Sequence, residues 1–168
     1  MGLILKYQHK FNVMKDKVFR CHNGEKVDVI EHTKEIFNEY ALDDSLKLYV
    51  GCDSQNKRYG TYYVTVIAYR YGHRGAHYIY CREKIPKVRD RWQRLWGEVE
   101  RSVQIALYLK SKGYKVDVID LDFNRKEIAA SSDMVAAARG YVIGMGFDCT
   151  VKPESQLASR AADHIVKQ

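Results

Sequence analysis

The segment Gly51-Cys52-Asp53-Ser54-Gln55 places an acidic residue where the apolar run Leu48-Tyr49-Val50 ends. An apolar run of this kind predicts a buried strand. An acid and two small polar groups at the end of a buried strand can do chemistry. Asp and Ser also favour turns, so the segment taken alone is more typical of an ordinary turn. The positions of the other acids decide between these interpretations.

Other acidic residues lie in predicted strands and helices at positions from which they could reach a common site. Asp122 closes a predicted strand, and strand alternation puts Asp120 on the same face as Asp122. Glu98 lies at the edge of the apolar stripe of a long predicted helix, so its side chain can lie over a sheet. Asp163 lies in the last predicted helix, off its apolar stripe. Taken singly, Glu98 is typical of a boundary residue and Asp163 of a solvated one.

Carboxylates drawn from two strands and two helices suit the binding of a pair of divalent cations. Mg²⁺ and Mn²⁺ prefer hard oxygen ligands. Two such ions, about 3.5–4 Å apart, can activate a water and stabilise the leaving oxygen of a phosphodiester. Without metal, clustered acids should have raised pKa values, because like charges disfavour joint ionisation.

The elements that must position these acids alternate in an α/β pattern. Strands are predicted over residues 46–53, 61–71, 76–85, 115–122 and 147–152. Helices are predicted over residues 26–41, 91–112, 131–145 and 157–166. Short connections between the first three strands predict an antiparallel meander, and the helical crossovers that follow predict parallel pairing. The expected fold is a mixed five-stranded sheet flanked by helices.

The N-terminal residues 1–25 form a predicted extension to a domain of residues 26–168. Strand-like patterns over Leu3–Val13 and Lys17–Cys21 make this extension a candidate β-hairpin. A strand of this kind can pair with the sheet edge of a neighbouring molecule, so the extension is a candidate contact for protein partners.

The net charge and the positions of the cysteines limit the classes of function that we expect for the protein. The 168 residues carry a formal charge of +7, which favours an anionic partner such as nucleic acid. No apolar run approaches the roughly 20 residues that cross a bilayer, so no membrane role is expected. The four cysteines are scattered without a C-x-x-C pair, which argues against both a zinc site and disulfides. We expect a cytoplasmic protein, or one inside a viral particle.

Several short motifs resemble the YkuK-like family of ribonuclease H-related proteins. They are Gly51-Cys52-Asp53-Ser54-Gln55, Glu98-x-x-x-Ser102-x-x-x-Ala106, Asp120-Leu121-Asp122, and Lys152-Pro153-Glu154-Ser155 followed by Ala158-Ser159. The resemblance runs from about Lys26 to the C-terminus. It implies the ribonuclease H-like fold, which begins with a three-strand meander and continues with alternating helices and strands.

The resemblance also implies roles for the acids. Asp53, Glu98, Asp122 and Asp163 would be the metal-binding and catalytic residues, holding two Mg²⁺ or Mn²⁺ ions. The chain departs from the family pattern at three of its positions. Cys52 replaces a usual threonine, and Asp120 replaces a frequent histidine and would add a second acid to the site. The family can also carry an amide at the position of Asp163.

A basic segment, residues 82–94, supports a nucleic-acid substrate, because Lys and Arg neutralise phosphates. The candidate substrate-binding residues are Lys57, Arg58, Arg89, Arg91 and Lys152. The same charges are also compatible with a plain solvated surface. Trp92 and Trp96 accompany the segment but lie on the apolar stripe of the helix, which favours a place in the core.

These patterns together predict a metal-dependent nuclease that hydrolyses RNA, an RNA–DNA hybrid or DNA by a two-metal-ion mechanism. The alternative hypothesis is a non-catalytic structural or assembly module of the same fold in a nucleoprotein or viral particle. Metal binding separates the two, because an assembly module needs no Mg²⁺.

Overall fold

A mixed sheet forms the centre of the protein, which a computed structural model describes over residues 17–72, 74–123, 132–151 and 157–168. Its strands are β1 (Phe19–Cys21), β2 (Lys26–Val27), β3 (Leu46–Lys57), β4 (Gly60–Tyr71), β5 (Ala76–Ile85), β6 (Val118–Leu121) and β7 (Cys149–Val151). The helices that flank it are α1 (Val29–Glu39), α2 (Arg91–Ser111), α3 (Ser132–Gly144) and α4 (Ala158–Lys167).

The strand order is β2-β1-β5-β4-β3-β6-β7. Strands β3, β4 and β5 form the antiparallel meander, and β3–β6 and β6–β7 pair in parallel. The predicted α/β class and mixed sheet are therefore confirmed. The predicted count of five strands is wrong, because the sheet has seven. The two additional strands lie at the free edge of β5, where Phe19 pairs with Cys81 and is buried in the core.

The N-terminal elements differ from their predicted bounds. Helix α1 begins at Val29, because Lys26–Val27 pairs with β1 instead of continuing the helix. Asp28 caps α1 by accepting hydrogen bonds from the backbone N–H groups of Ile30 and Glu31, both at 2.9 Å. The predicted strand over residues 3–13 lies outside the described residues.

Strand β3 does not end at Asp53 as predicted. Residues 54–57 continue to pair with β4, up to the pair Lys57 and Gly60, so only Arg58 and Tyr59 connect the two strands. Asp53 therefore lies inside a paired strand. Its backbone is held in place by pairing with β4, where Val64 lies opposite. In contrast, β6 and β7 are shorter than predicted and pair over only three residues.

Each face of the sheet is covered by helices. Residues of α1, α2 and α3 share one core with Leu48, Val50 and Ile67 of the sheet. Helix α4 packs on the other face against Val64 and Val66. Because side chains alternate along a strand, successive residues of β3 point to opposite helical layers. Over the described residues, no helix combines the length and apolar character that a bilayer crossing demands.

Candidate metal centre

The four acids singled out in the sequence border one cavity of about 400 Å³. They reach it from four places in the chain. Asp53 comes from β3, Glu98 from α2, and Asp163 from α4, while Asp122 directly follows β6. The structure therefore brings together carboxylates that lie up to 110 residues apart in the chain, from Asp53 to Asp163.

A close approach of α4 to β3 brings Asp163 to Asp53. A Cβ added to Gly51 would lie 2.8 Å from the backbone nitrogen of Ser159, so only glycine leaves room for the helix. Asp163 is one helical turn beyond Ser159 and lies on the same side of α4. Its carboxyl group is near enough to Asp53 to raise the pKa of that residue. The position of Asp163 thus depends on how α4 docks.

Asp120 fastens the start of α4 to the sheet. Its carboxylate accepts hydrogen bonds from the backbone N–H groups of Ala158 (2.7 Å) and Ser159 (3.4 Å), and from Thr150 Oγ1 (2.7 Å). Leu157, at the helix N-cap, supplies no side-chain hydrogen bond of its own. Asp120, which the sequence analysis counted as a second acid for the site, is engaged in these hydrogen bonds and does not border the cavity of the other four acids.

Replacing Asp120 with alanine should lower the free energy of unfolding by about 2–3 kcal/mol, because the hydrogen bonds of a buried charged acceptor are lost together. Urea denaturation followed by circular dichroism measures this change. Asp44→Ala is the control, because Asp44 is exposed and should change stability by less than about 0.5 kcal/mol. Equal stabilities of the two variants would contradict this role of Asp120.

Glu98 enters the cavity from the α2 layer and is only 6% exposed. It accepts a hydrogen bond from Ser54 Oγ, and Arg94 donates to both Ser54 Oγ and the Ser54 carbonyl at 2.9 Å. Burial raises the pKa of Glu98 well above its usual range, and the charge of Asp53 raises it further. The Ser54 hydrogen bond and the Arg94 charge oppose this shift of the pKa.

Asp53 is subject to both burial and repulsion from other acids of the cluster. Burial raises the pKa of Asp53 to about 7, and the charges of Asp122 and Asp163 contribute in the same direction. A hydrogen bond from the Ser54 backbone N–H opposes the shift. Near neutral pH, the positive charges around the cluster are therefore not sufficient to keep Asp53 fully ionised.

The donor set of the cavity fits a hard divalent cation. Besides the carboxylates, Gln55 presents a buried amide oxygen to which no group among the described residues donates a hydrogen bond. Carboxylate and amide oxygens are ligands that Mg²⁺ and Mn²⁺ accept, and a cation would also relieve the repulsion that raises the pKa of Asp53. The residues present thus fit a metal centre.

Other polar residues that the sequence analysis did not assign to the site also border the cavity. Among them are Gln55, Arg94 and Lys167. Lys167 Nζ lies 2.7 Å from both carboxylate oxygens of Asp163. Simple spacing could have found all three: Gln55 follows Asp53 by two residues on a strand, and Arg94 and Lys167 are four residues from Glu98 and Asp163 on helices.

The predicted substrate-binding residues lie away from the acids. Lys57 and Arg58 lie at the turn between β3 and β4, while Arg89 and Arg91 are exposed near the start of α2. None of these four borders the acid cavity. Lys152 lies outside the described residues.

The two tryptophans of the basic segment belong to the core packing. Trp92 and Trp96 are partly buried and pack against the main core, and the Trp96 ring lies 5.4 Å from the ring of Tyr141. They are therefore held by α3 and the core, whereas Tyr59, on the β3–β4 turn, is an exposed aromatic residue of the described chain.

The fold and the acid cluster agree with a comparison across protein families. The family described as Ribonuclease H-like matches residues 28–167. The chain therefore belongs to the ribonuclease H-like family, and the meander followed by parallel strands is consistent with the fold of that family. Proteins of this family usually depend on divalent metal ions. No curated protein and no solved structure is significantly similar to the chain.

Proposed function

We propose that the protein is a metal-dependent nuclease of the YkuK-like branch of its family, hydrolysing phosphodiester bonds of nucleic acid. The observation that carries this proposal is the convergence of four carboxylates from four elements on one cavity. Purely structural acids are usually paired with cations or spread over the surface, because clustering raises their free energy. Here burial and mutual repulsion raise the pKa of Asp53 to about 7, a strain that bound cations would relieve.

The roles follow from the positions of the acids. Asp53 borders the cavity together with Asp122 and Asp163, whose charges act on it, and would contact both ions, while Glu98 and Asp122 would hold one each. Asp163, at the half-exposed rim beside Lys167, would complete the shell. Two Mg²⁺ or Mn²⁺ ions supply activation of the attacking water and stabilisation of the leaving oxygen.

Other side chains of the cavity orient these acids. The Arg94 guanidinium holds Ser54, and the Ser54 hydroxyl in turn holds the Glu98 carboxylate, so Glu98 has little freedom to turn away. Lys167 binds Asp163 and places a positive charge at the rim of the cavity. In the absence of a divalent ion, this ammonium group partly offsets the charge of the cluster.

A basic and aromatic patch at the β3–β4 turn can bind the substrate. We call it the turn patch; its members are Lys57, Arg58, Tyr59, Tyr62 and Lys84. Lys84 Nζ lies 5.9 Å from the centres of both tyrosine rings, and Tyr59 is 70% exposed. Cations beside exposed aromatic rings suit single-stranded nucleic acid, whose phosphates are neutralised and whose bases stack.

The turn patch lies along the same strand as the acids. Asp53, Gln55 and Lys57 alternate on one face of β3, so Lys57 is about 13 Å from Asp53 along the strand. A strand of nucleic acid that contacts the turn patch can therefore continue to the acid cavity. This placement supports the proposal that Lys57 and Arg58 bind the substrate that the metal centre cleaves.

Replacing Lys84 with alanine should weaken binding of single-stranded oligonucleotides to a similar extent for all sequences. The slope of log affinity against log salt should fall by about 1, because one phosphate contact is lost. Fluorescence anisotropy at several salt concentrations measures both quantities. Lys115→Ala removes a lysine whose side chain is 85% exposed and should leave the slope unchanged. Equal slopes for the two variants would contradict binding at the turn patch.

The proposed function is tested by incubating the protein with labelled single-stranded RNA, RNA–DNA hybrid and DNA. We expect cleavage of at least one substrate with Mg²⁺ or Mn²⁺ and none with EDTA. The relative rates identify the preferred polymer. Absence of both cleavage and Mg²⁺ binding would contradict the nuclease and favour the assembly module, whose protein partners would contact the N-terminal extension. Cytoplasmic and viral-particle locations both agree with the proposed activity.

A further inference from the structure

A second cluster of ligand-type side chains lies on the other half of the sheet. Cys21, His32 and His77 each offer a sulfur or nitrogen atom, and these atoms all lie within 4.8 Å of one another. All three side chains are half-buried. Sheet order places β1 and β5 at least two strands from β6, so this cluster is separate from the acid cavity.

Three elements build this cluster. Cys21 on β1 pairs with Ile79 on β5, and His77 lies two residues before Ile79 and hence on the same face. Helix α1 covers that face and brings His32. Its Thr33 hydroxyl lies 2.7 Å from the Tyr69 hydroxyl, a buried hydrogen bond that fixes the helix beside the cluster.

The distances are close to those of a metal site. The Nε2 atoms of His32 and His77 are 2.8 Å apart. A tetrahedral zinc ion with Zn–N bonds of about 2.0–2.1 Å holds two nitrogens about 3.3 Å apart. An increase of about half an ångström in the distance between the two nitrogens would therefore admit the ion, with Cys21 as the third ligand. The ordinary alternative is a hydrogen bond between the two imidazoles beside a thiol.

We propose that Cys21, His32 and His77 form a binding site for a transition-metal ion of the zinc class. Thiolate and imidazole ligands select such ions, whereas the oxygen ligands of the acid cavity select Mg²⁺ and Mn²⁺. Three protein ligands leave a fourth position for water or another group. The bound ion ties strand β1 to α1 and β5, so it stabilises the N-terminal side of the sheet.

Cobalt substitution tests the site directly. Titration of the purified full chain with Co²⁺ under reducing conditions should give the visible bands of a tetrahedral site, together with a thiolate-to-cobalt charge-transfer band. Both should saturate at one equivalent and disappear when one equivalent of Zn²⁺ is added. The variant Cys21→Ser should lose the charge-transfer band, and His77→Ala should bind Co²⁺ more weakly.

Matched variants separate this site from other metal binding. Cys149→Ser changes a half-buried cysteine on β7, and His22→Ala changes an exposed histidine that contacts Tyr78, so both should keep the band. Asp53→Asn and excess Mg²⁺ should also leave it unchanged, which makes the result independent of the proposed nuclease. Circular dichroism verifies that each variant is folded. A wild-type protein without the band, or a band that survives in folded Cys21→Ser, would overturn the proposal.

Discussion

Replacing Asp53 with asparagine should lower the rate of metal-dependent cleavage by a factor on the order of a thousand. Asp53 shares the cavity with the other three acids, and its electrostatic coupling to Asp122, Asp163 and Glu98 extends across the cluster. An amide keeps the shape of the side chain but lacks the negative charge that attracts cations. Stabilisation of the transition state by bound metal is worth several kcal/mol, and each 1.36 kcal/mol corresponds to about tenfold in rate.

The measurement is the initial rate of cleavage of the best substrate at saturating Mn²⁺. Asp44→Asn changes an exposed acid outside the cavity and should keep the wild-type rate. Asp163→Asn should reduce the rate less than Asp53→Asn does, because Asp163 lies at the rim and is already paired with Lys167. Full activity of folded Asp53→Asn would rule out the proposed function.

The same substitution should make the metal-free protein more stable at pH 8. The pKa of Asp53 is about 7 in the folded protein, whereas an unfolded aspartate has a pKa of about 3.9. Between these values the folded state binds more protons than the unfolded state, so the stability of the wild type falls as the pH rises toward 7. Asparagine cannot ionise, so the variant avoids this loss, which we expect to amount to about 2–4 kcal/mol.

Urea unfolding in EDTA at pH 4 and pH 8 measures the effect. The two proteins should have similar stabilities at pH 4, where Asp53 is largely protonated in the folded state, and should diverge at pH 8 in favour of Asp53→Asn. Added Mg²⁺ should then stabilise the wild type and leave the variant nearly unchanged, because only the wild type retains the full charge of the site. A wild type that stays as stable as the variant at pH 8 without metal would refute this electrostatic account.

Strand and helix patterns are enough to anticipate much of the cavity. Asp53 and Asp122 follow or lie within strands that the meander and the crossover place side by side, and β3 and β6 indeed pair in parallel. Among the acids of its helix, Glu98 could be chosen as a candidate because a helical wheel places it near the apolar stripe. These inferences depend on local periodicity and on simple rules of connection.

The position of Asp163 could not be predicted in the same way. It lies off the apolar stripe of α4, and it reaches the cavity because the helix docks closely over Gly51 and is fastened by Asp120. Both contacts join residues far apart in the chain, so no local pattern contains them. The strand character of Lys17–Cys21 was predicted, but its pairing with the edge of β5 was not, since this contact also joins distant residues.

The cluster of Cys21, His32 and His77 also could not be predicted from local sequence motifs. Cys21, His32 and His77 have no spacing typical of a zinc motif, and the sequence pattern accordingly argued against zinc. The pairing of β1 with β5 and the docking of α1 bring the three side chains together. A site assembled from three elements becomes visible only in the folded chain.

The binding of divalent ions by the four acids is tested most directly by anomalous diffraction from crystals of the protein soaked with Mn²⁺. We predict two manganese peaks in the cavity, within bonding distance of carboxylate oxygens of Asp53, Glu98, Asp122 and Asp163. Maps from well-ordered crystals at saturating Mn²⁺ that show no manganese between these acids would contradict the account.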